Sequence, residues 1–176
     1  MAIRMLALVL LAATLTACSA EPKPSEPPST TTTIVTGSTS TTLAELDVPP
    51  ELADLATATI SIDGRDLLVA VADTAEVRSQ GLKGVTDLGD LDGMLFVWEG
   101  DTGAAFHMVD TLIWLDLAFF SVGGGFVDRL TMEPCMTDEC PSYSAGGLFG
   151  LYRYALEAPA GDLDFITADS TLVIDS

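Results

Sequence analysis

From Thr57 onward the chain is a succession of short apolar runs, each closed within a few residues by Gly or Asp. Thr57–Ile62 and Asp66–Ala72 flank Asp63-Gly64-Arg65 and read as a hairpin. Gly93–Glu99, Ala104–Val109, Leu115–Val122, Phe126–Met132, Arg153–Glu157 and Thr171–Asp175 read as further strands, with Gly123-Gly124-Gly125 as a turn. Between them, Asp73-Thr74-Ala75-Glu76 reads as a helix start. Asp73 is placed to cap and Glu76 to complete a capping box, in a helix running to about Leu82 and ended by Gly81 and Gly84. Ala160–Ile166 is expected to form a second short helix. Many short strands at regular spacing predict a mainly β fold: an antiparallel sandwich, jelly-roll-like or barrel-like domain with one or two short helices.

The residues ahead of these runs cannot join that core. Arg4 precedes an apolar stretch, Met5–Leu15, which closes on Leu15-Thr16-Ala17-Cys18. The stretch has the length of a secretory signal rather than the ~20 residues of a membrane span. The last four residues form a lipobox, so residues 1–17 are expected to be removed and Cys18 to carry lipid. Residues 18–50 then form a tether: Glu21–Pro28 is Pro-rich, and Ser29–Thr42 is almost all Thr and Ser. Fully stretched, Ser19–Leu43 reaches roughly 80 Å at about 3.3 Å per residue. As a coil it spans about 25–30 Å, enough to lift a domain clear of lipid headgroups. The expected organisation is therefore signal peptide, lipidated tether and one β domain at 51–176, held on the extracytoplasmic face of the cell membrane.

Charge narrows the partners. From Ala44 on, 24 acidic residues stand against five basic ones. Such a domain is repelled by nucleic acid and by anionic lipid surfaces. Solubility or a salty habitat accounts for the excess most simply; attraction of a cation is the sharper alternative. With Cys18 assigned to lipid, Cys135 and Cys140 remain, and outside the membrane they read as a disulfide. A redox pair is the alternative. The four intervening residues and the acidic neighbours argue against it, because acidic neighbours raise a thiol pKa. The spacing fits no common zinc site.

Five blocks carry a resemblance. They are Val71–Gly84, Gly93–Trp98, Phe106–Phe119, Met132-Glu133-Pro134-Cys135 with Cys140-Pro141, and Arg153-Tyr154-Ala155-Leu156-Glu157-Ala158-Pro159-Ala160-Gly161. In this order they resemble the DUF192 family, small bacterial and archaeal proteins of unknown function. The resemblance implies a compact, mostly antiparallel β fold of sandwich or jelly-roll type and no established activity. The third block departs from the usual Phe-Trp-Met-Lys-Asn-Thr of the family. His107 replaces Trp, Val109 replaces Lys, and Asp110 replaces Asn. Trp114 replaces a Pro, and Lys83 and Val85 stand where the family often has Met and Arg. If those positions form a ligand site, this one is less cationic and carries one imidazole.

His107 is the only histidine, on a strand where it faces opposite to Phe106 and Met108. With Asp110, Asp116 or Glu133 it is the candidate for general-base or metal-assisted chemistry. An exposed or hydrogen-bonded rim histidine is the plainer reading. Asp116 lies in the apolar run Trp114–Phe120 and needs partners if buried. Arg78 or Arg153 is the expected structural partner; a pocket shared with Glu133 and Asp110 is the alternative. Asp90, Asp92, Gly93 and Glu99 approximate part of a calcium loop, but Leu88 holds its first position, so an acidic turn is the better reading. No cofactor and no metal are expected. The leading expectation is a module binding an envelope small molecule or protein. A hydrolytic or metal-assisted enzyme and a structural envelope lipoprotein are the alternatives. Convergence of His107, Asp116 and Glu133 in one pocket would favour the enzyme, and scatter would favour binding or structure.

Overall fold

In the computed structural model, the described residues are 46–137, 139–146 and 150–174, all within one unit spanning Leu43–Ser176. The signal, Cys18 and most of the tether lie outside them. The hairpin forms as the sequence predicts: β1 (Thr57–Ile62) pairs antiparallel with β2 (Arg65–Ala72). Asp63 and Gly64 make the turn, both at positive φ (54° and 81°), which is the backbone a two-residue primed turn requires. The Asp63 carboxylate accepts hydrogen bonds from Ser170 Oγ (2.6 Å) and Thr171 N–H (3.1 Å), tying the turn to the chain's last stretch.

After β2 the chain crosses through one helix, α1 (Ala75–Gln80), into β3 (Gly93–Thr102), which runs parallel to β2. The predicted cap shifts by one residue: Thr74, not Asp73, accepts from a helix N–H, that of Val77 at 3.2 Å. Asp92 seals the parallel entry. Its N–H donates to Leu68 C=O and its carboxylate accepts from Leu68 N–H, both at 2.7 Å. Asp90 likewise accepts from Asp47 N–H (2.8 Å), so contacts with the domain begin ahead of Glu51. These carboxylates are spent on backbone donors, in keeping with an acidic turn.

The remaining strands are β4 (Phe106–His107), β5 (Leu115–Phe120), β6 (Phe126–Met132), β7 (Ser142–Tyr143), β8 (Tyr152–Pro159) and β9 (Leu172–Ile174). Seven strands form one sheet in the order β6-β5-β8-β3-β2-β1-β9, curled into a half-barrel, while β4 and β7 pair separately. The fold is mainly β, with three corrections. The β2–β3 pair is parallel, and Ala160–Ile166 forms turns rather than a helix, with Leu163 and Ile166 buried. The strand expected over Ala104–Val109 shortens to two residues, because Asp110 turns the chain at φ 59°.

The sheet is covered on both faces, which is why all six residues of β5 are buried. On one face Ala70, Met94, Phe96, Leu117 and Phe119 pack under Leu52, Leu82, Leu91, Phe106 and Met108. On the other Ile60, Val69, Leu95, Phe120 and Leu156 pack under Leu163, Ile166 and Leu172. Burying one such side chain is worth roughly 1.5–3 kcal/mol. A surface ion pair such as Arg153–Asp101 (3.1 Å) contributes about 0–1 kcal/mol. Packing, not charge, holds this acidic domain together. Among the described residues no helix is long and apolar enough to cross a membrane.

Candidate functional site

Arg78 sits in the last turn of α1, where a cation suits the helix dipole. Its Nη1 donates to the carbonyls of Asp73 and Val97 (2.7 Å to the latter), and its guanidinium carbon lies 5.2 Å from the Trp98 ring centroid. One side chain thus staples α1 to β3 and covers Trp98. Residues alternate along a strand, so Phe96 and Trp98 share a face. There they meet Phe106 at 5.0 and 6.1 Å, both edge-on, and Tyr152 sits 5.1 Å from Trp98. Burial raises the Tyr152 phenol above its ordinary range, and it stays a donor, to the Ala104 carbonyl at 2.7 Å.

A cleft of about 630 Å³ opens between α1, the turn after it, β3 and β4. Trp98, Phe96 and Phe106 form its wall; Arg78, Lys83 and His107 also line it. Glu157 reaches it from β8, in the middle of the sheet. Glu157 pairs in register with Met94 on β3 and Leu117 on β5, and it is only 5% exposed. Burial pushes its carboxyl up to about 8, so at neutral pH it is mostly a protonated acid. Gly93 makes the site possible. A Cβ there would lie 2.3 Å from the Glu157 carbonyl oxygen, so only glycine lets β3 close on β8 at this point.

Of the four candidates for chemistry, His107, Asp110, Asp116 and Glu133, His107 alone lines the cleft, exposed at its rim while Phe106 and Met108 are buried. Asp110 is exposed at the adjoining turn, and its N–H donates to the Cys135 carbonyl (3.1 Å). Glu133 is exposed, and its N–H donates to the Tyr143 hydroxyl oxygen at 3.4 Å. Asp116 is 1% exposed and on the opposite side of the sheet. Its neighbours Leu115 and Leu117 belong to the cleft-side core, so the alternation turns Asp116 away. The expected partner is corrected: Arg129, at 3.8 Å, takes the place of Arg78 or Arg153. Thr131 Oγ1 (2.7 Å) and Gly161 N–H (2.8 Å) donate to the same carboxylate. Arg78 is occupied at the cleft and Arg153 with Asp101.

Cys135 and Cys140 form a disulfide, with Cα atoms 5.8 Å apart. Its loop does more than close on itself. Cys135 bridges to both Val109 and Thr111, and these two residues line the cleft. Among the described residues no three His, Cys, Asp or Glu side chains are grouped to hold a metal ion.

The sheet and cleft define a small, mostly antiparallel β domain with a ligand-sized hollow walled by aromatic side chains. The chain belongs to the DUF192 family, described as Uncharacterized ACR, whose model matches residues 58–173. Three departures from the usual family pattern, Lys83, His107 and Val109, all line the cleft. No curated protein matches the chain. Two crystal structures share its fold. One, of a protein of unknown function from Novosphingobium aromaticivorans DSM 12444, is 23% identical with a TM-score of 0.60 and covers 74% of this chain and 94% of its own. The other, described as a "putative transcription regulator" from Sinorhizobium meliloti 1021, is 21% identical with a TM-score of 0.57, covering 68% and 95%.

Proposed function

We propose that this chain is a lipid-anchored binding module that works outside the cytoplasmic membrane and takes a small molecule into the cleft between α1 and β3. The observation that carries this reading is the cleft itself. At about 630 Å³ it falls in the size range of small-ligand sites, with an apolar aromatic wall and a few polar groups converging on it. The signal, the lipobox cysteine and the Thr/Ser tether support the location. A disulfide suits an oxidising compartment.

The hydrolytic or metal-assisted alternative has less to support it. It needs His107 with Asp110, Asp116 or Glu133, and Asp116 faces the other side of the sheet while Asp110 and Glu133 do not line the cleft. A purely structural lipoprotein would have no need of a formed cleft.

The test is a thermal-shift screen of the full chain against envelope sugars, peptides and small organic acids. A ligand at about 100 times its dissociation constant adds roughly 2.7 kcal/mol, which moves the midpoint by several degrees. Ala105→Trp, at the exposed lining residue Ala105, fills the cleft from its mouth and should abolish the shift. Stabilisation that survives Ala105→Trp places binding elsewhere and ends this reading.

A further inference from the structure

The five basic residues from Ala44 on are the means by which this acidic domain can hold an anion. Three are committed away from the cleft. Arg65 lies over the Phe165 ring, its guanidinium carbon 4.6 Å from the centroid. Arg129 holds Asp116 and Asp164, and Arg153 holds Asp101. The other two, Arg78 and Lys83, both line the cleft. Among the described residues neither has a carboxylate partner, although acids outnumber bases almost five to one from Ala44 on. Arg78 spends Nη1 on two carbonyls, and among the described residues the Lys83 ammonium makes no hydrogen bond. Glu51 and Glu76 line a neighbouring hollow that also includes Lys83, yet neither pairs with it.

Glu157 completes the set. Its carboxyl has neither a hydrogen-bond partner nor an ion pair among the described residues, and it lines the cleft from a position 5% exposed. The cleft thus gathers a carboxyl that burial keeps protonated and two cations without a carboxylate partner among the described residues, a lining able to take one anion. The acid supplies a donor that an incoming oxygen can accept from, and the cations supply the balancing charge.

We infer that the cleft takes a small organic carboxylate, its charge held by Lys83 with Arg78 behind it, and one of its oxygens accepting a hydrogen bond from the Glu157 carboxyl. This rests on the small-ligand reading above. A carboxylate fits better than a phosphate. The lining offers one ammonium and one acid donor, whereas a near-dianionic phosphate calls for several N–H donors. The aromatic wall of Phe96, Trp98 and Phe106 suits an apolar or planar body behind the charged head.

Ionisation of Glu157 would set two negative groups against each other, so carboxylate binding should weaken as pH rises through about 8. The charged and titratable groups lining the cleft with Glu157 are Arg78 from α1, Lys83 from the turn after it and His107 from β4. Its register neighbours on β3 and β5, Met94 and Leu117, do not titrate.

The experiment is calorimetric titration of the full chain with three ring-matched probes: benzoate, phenyl phosphate and benzylamine. Benzoate should bind best near neutral pH and weaken about tenfold between about pH 7 and pH 9. Glu157→Gln, which cannot ionise, should bind benzoate with a flat profile over the same range. His107→Gln should keep the wild-type slope, and Lys83→Met should weaken benzoate about tenfold. Tighter binding of benzylamine or phenyl phosphate, or an unchanged benzoate affinity in Lys83→Met, overturns the carboxylate assignment and leaves the small-ligand reading standing. If no probe binds and the fragment screen is also blank, both fall.

Discussion

Asp116 and Glu157 lie on neighbouring strands and miss each other's register by one residue: Asp116 pairs with Ala158, and Glu157 with Leu117. That single step sends the two buried carboxyls to opposite faces of the sheet. Asp116 meets Thr131, Gly161 and Arg129 and is fully provided for. Glu157 meets none of these and opens into the cleft. One acid is tied into the structure, and the other faces the cleft.

The burial of Glu157 makes stability depend on pH. Its carboxyl is pushed up to about 8, against 4.5 for an ordinary glutamate. Between these values the native state holds a proton that the unfolded chain has released. The contribution is complete below about pH 4.5 and is lost as pH rises toward 8, at about 1.4 kcal/mol per pH unit. Above about pH 8 both states have released it and the slope vanishes. Glu157→Gln removes this loss. Denaturant midpoints of the two proteins, compared from about pH 5 to pH 9, should therefore separate in favour of the variant and then run parallel. Parallel curves throughout would show that Glu157 is not buried as a neutral acid.

Removing the Asp116 carboxylate strands the Gly161 N–H and the Thr131 hydroxyl and deprives Arg129 of one partner. Asp116→Ala should cost on the order of 2–4 kcal/mol, and Asp116→Asn less, since its amide oxygen still accepts. Because the side chain faces away from the cleft, ligand affinity of the folded variant should be unchanged. A loss of binding out of proportion to the loss of fold would place Asp116 in the site after all.

Much of this fold is legible in the chain. The Asp63-Gly64 turn signal sets the first hairpin, and the apolar run Phe126–Met132 gives β6 its observed bounds. The parallel β2–β3 pair is not legible, because it depends on a crossover whose landing point is fixed by Asp92 reaching back to Leu68. The site is legible at His107, Lys83 and Val109, which the family resemblance marks and which line the cleft. Glu157 carries the same signal that drew notice to Asp116, a single acid among Ala155, Leu156 and Ala158. Which face each acid takes, however, follows from pairing between β5 and β8, strands far apart in the chain. Local alternation says that neighbours oppose, and only long-range register says which side holds the cleft.

The proposed anchor makes a separate prediction at Cys18. A diacylated cysteine binds membranes stably because two chains are buried, where one gives only reversible attachment. Cys18→Ser should abolish both lipid attachment and cleavage ahead of residue 18, which the intact mass of the expressed protein reads directly. A Cys18→Ser protein that is still cut at the same bond would mean that the leader is an ordinary secretory signal.

The disulfide ties stability and binding together unequally. Closing the short Cys135–Cys140 ring is worth about 2 kcal/mol by loop entropy, a modest part of a domain's stability. Yet Cys135 is bridged to Val109 and Thr111, and its carbonyl accepts from Asp110 N–H, so the same ring braces part of the cleft wall. Replacing both cysteines by serine should lower the denaturant midpoint slightly while the folded protein loses several-fold in ligand affinity. The double variant should show this without reductant, and the wild type should reproduce it when reductant is added. Equal affinity in the oxidised, reduced and double-serine proteins would mean that the wall stands without its brace.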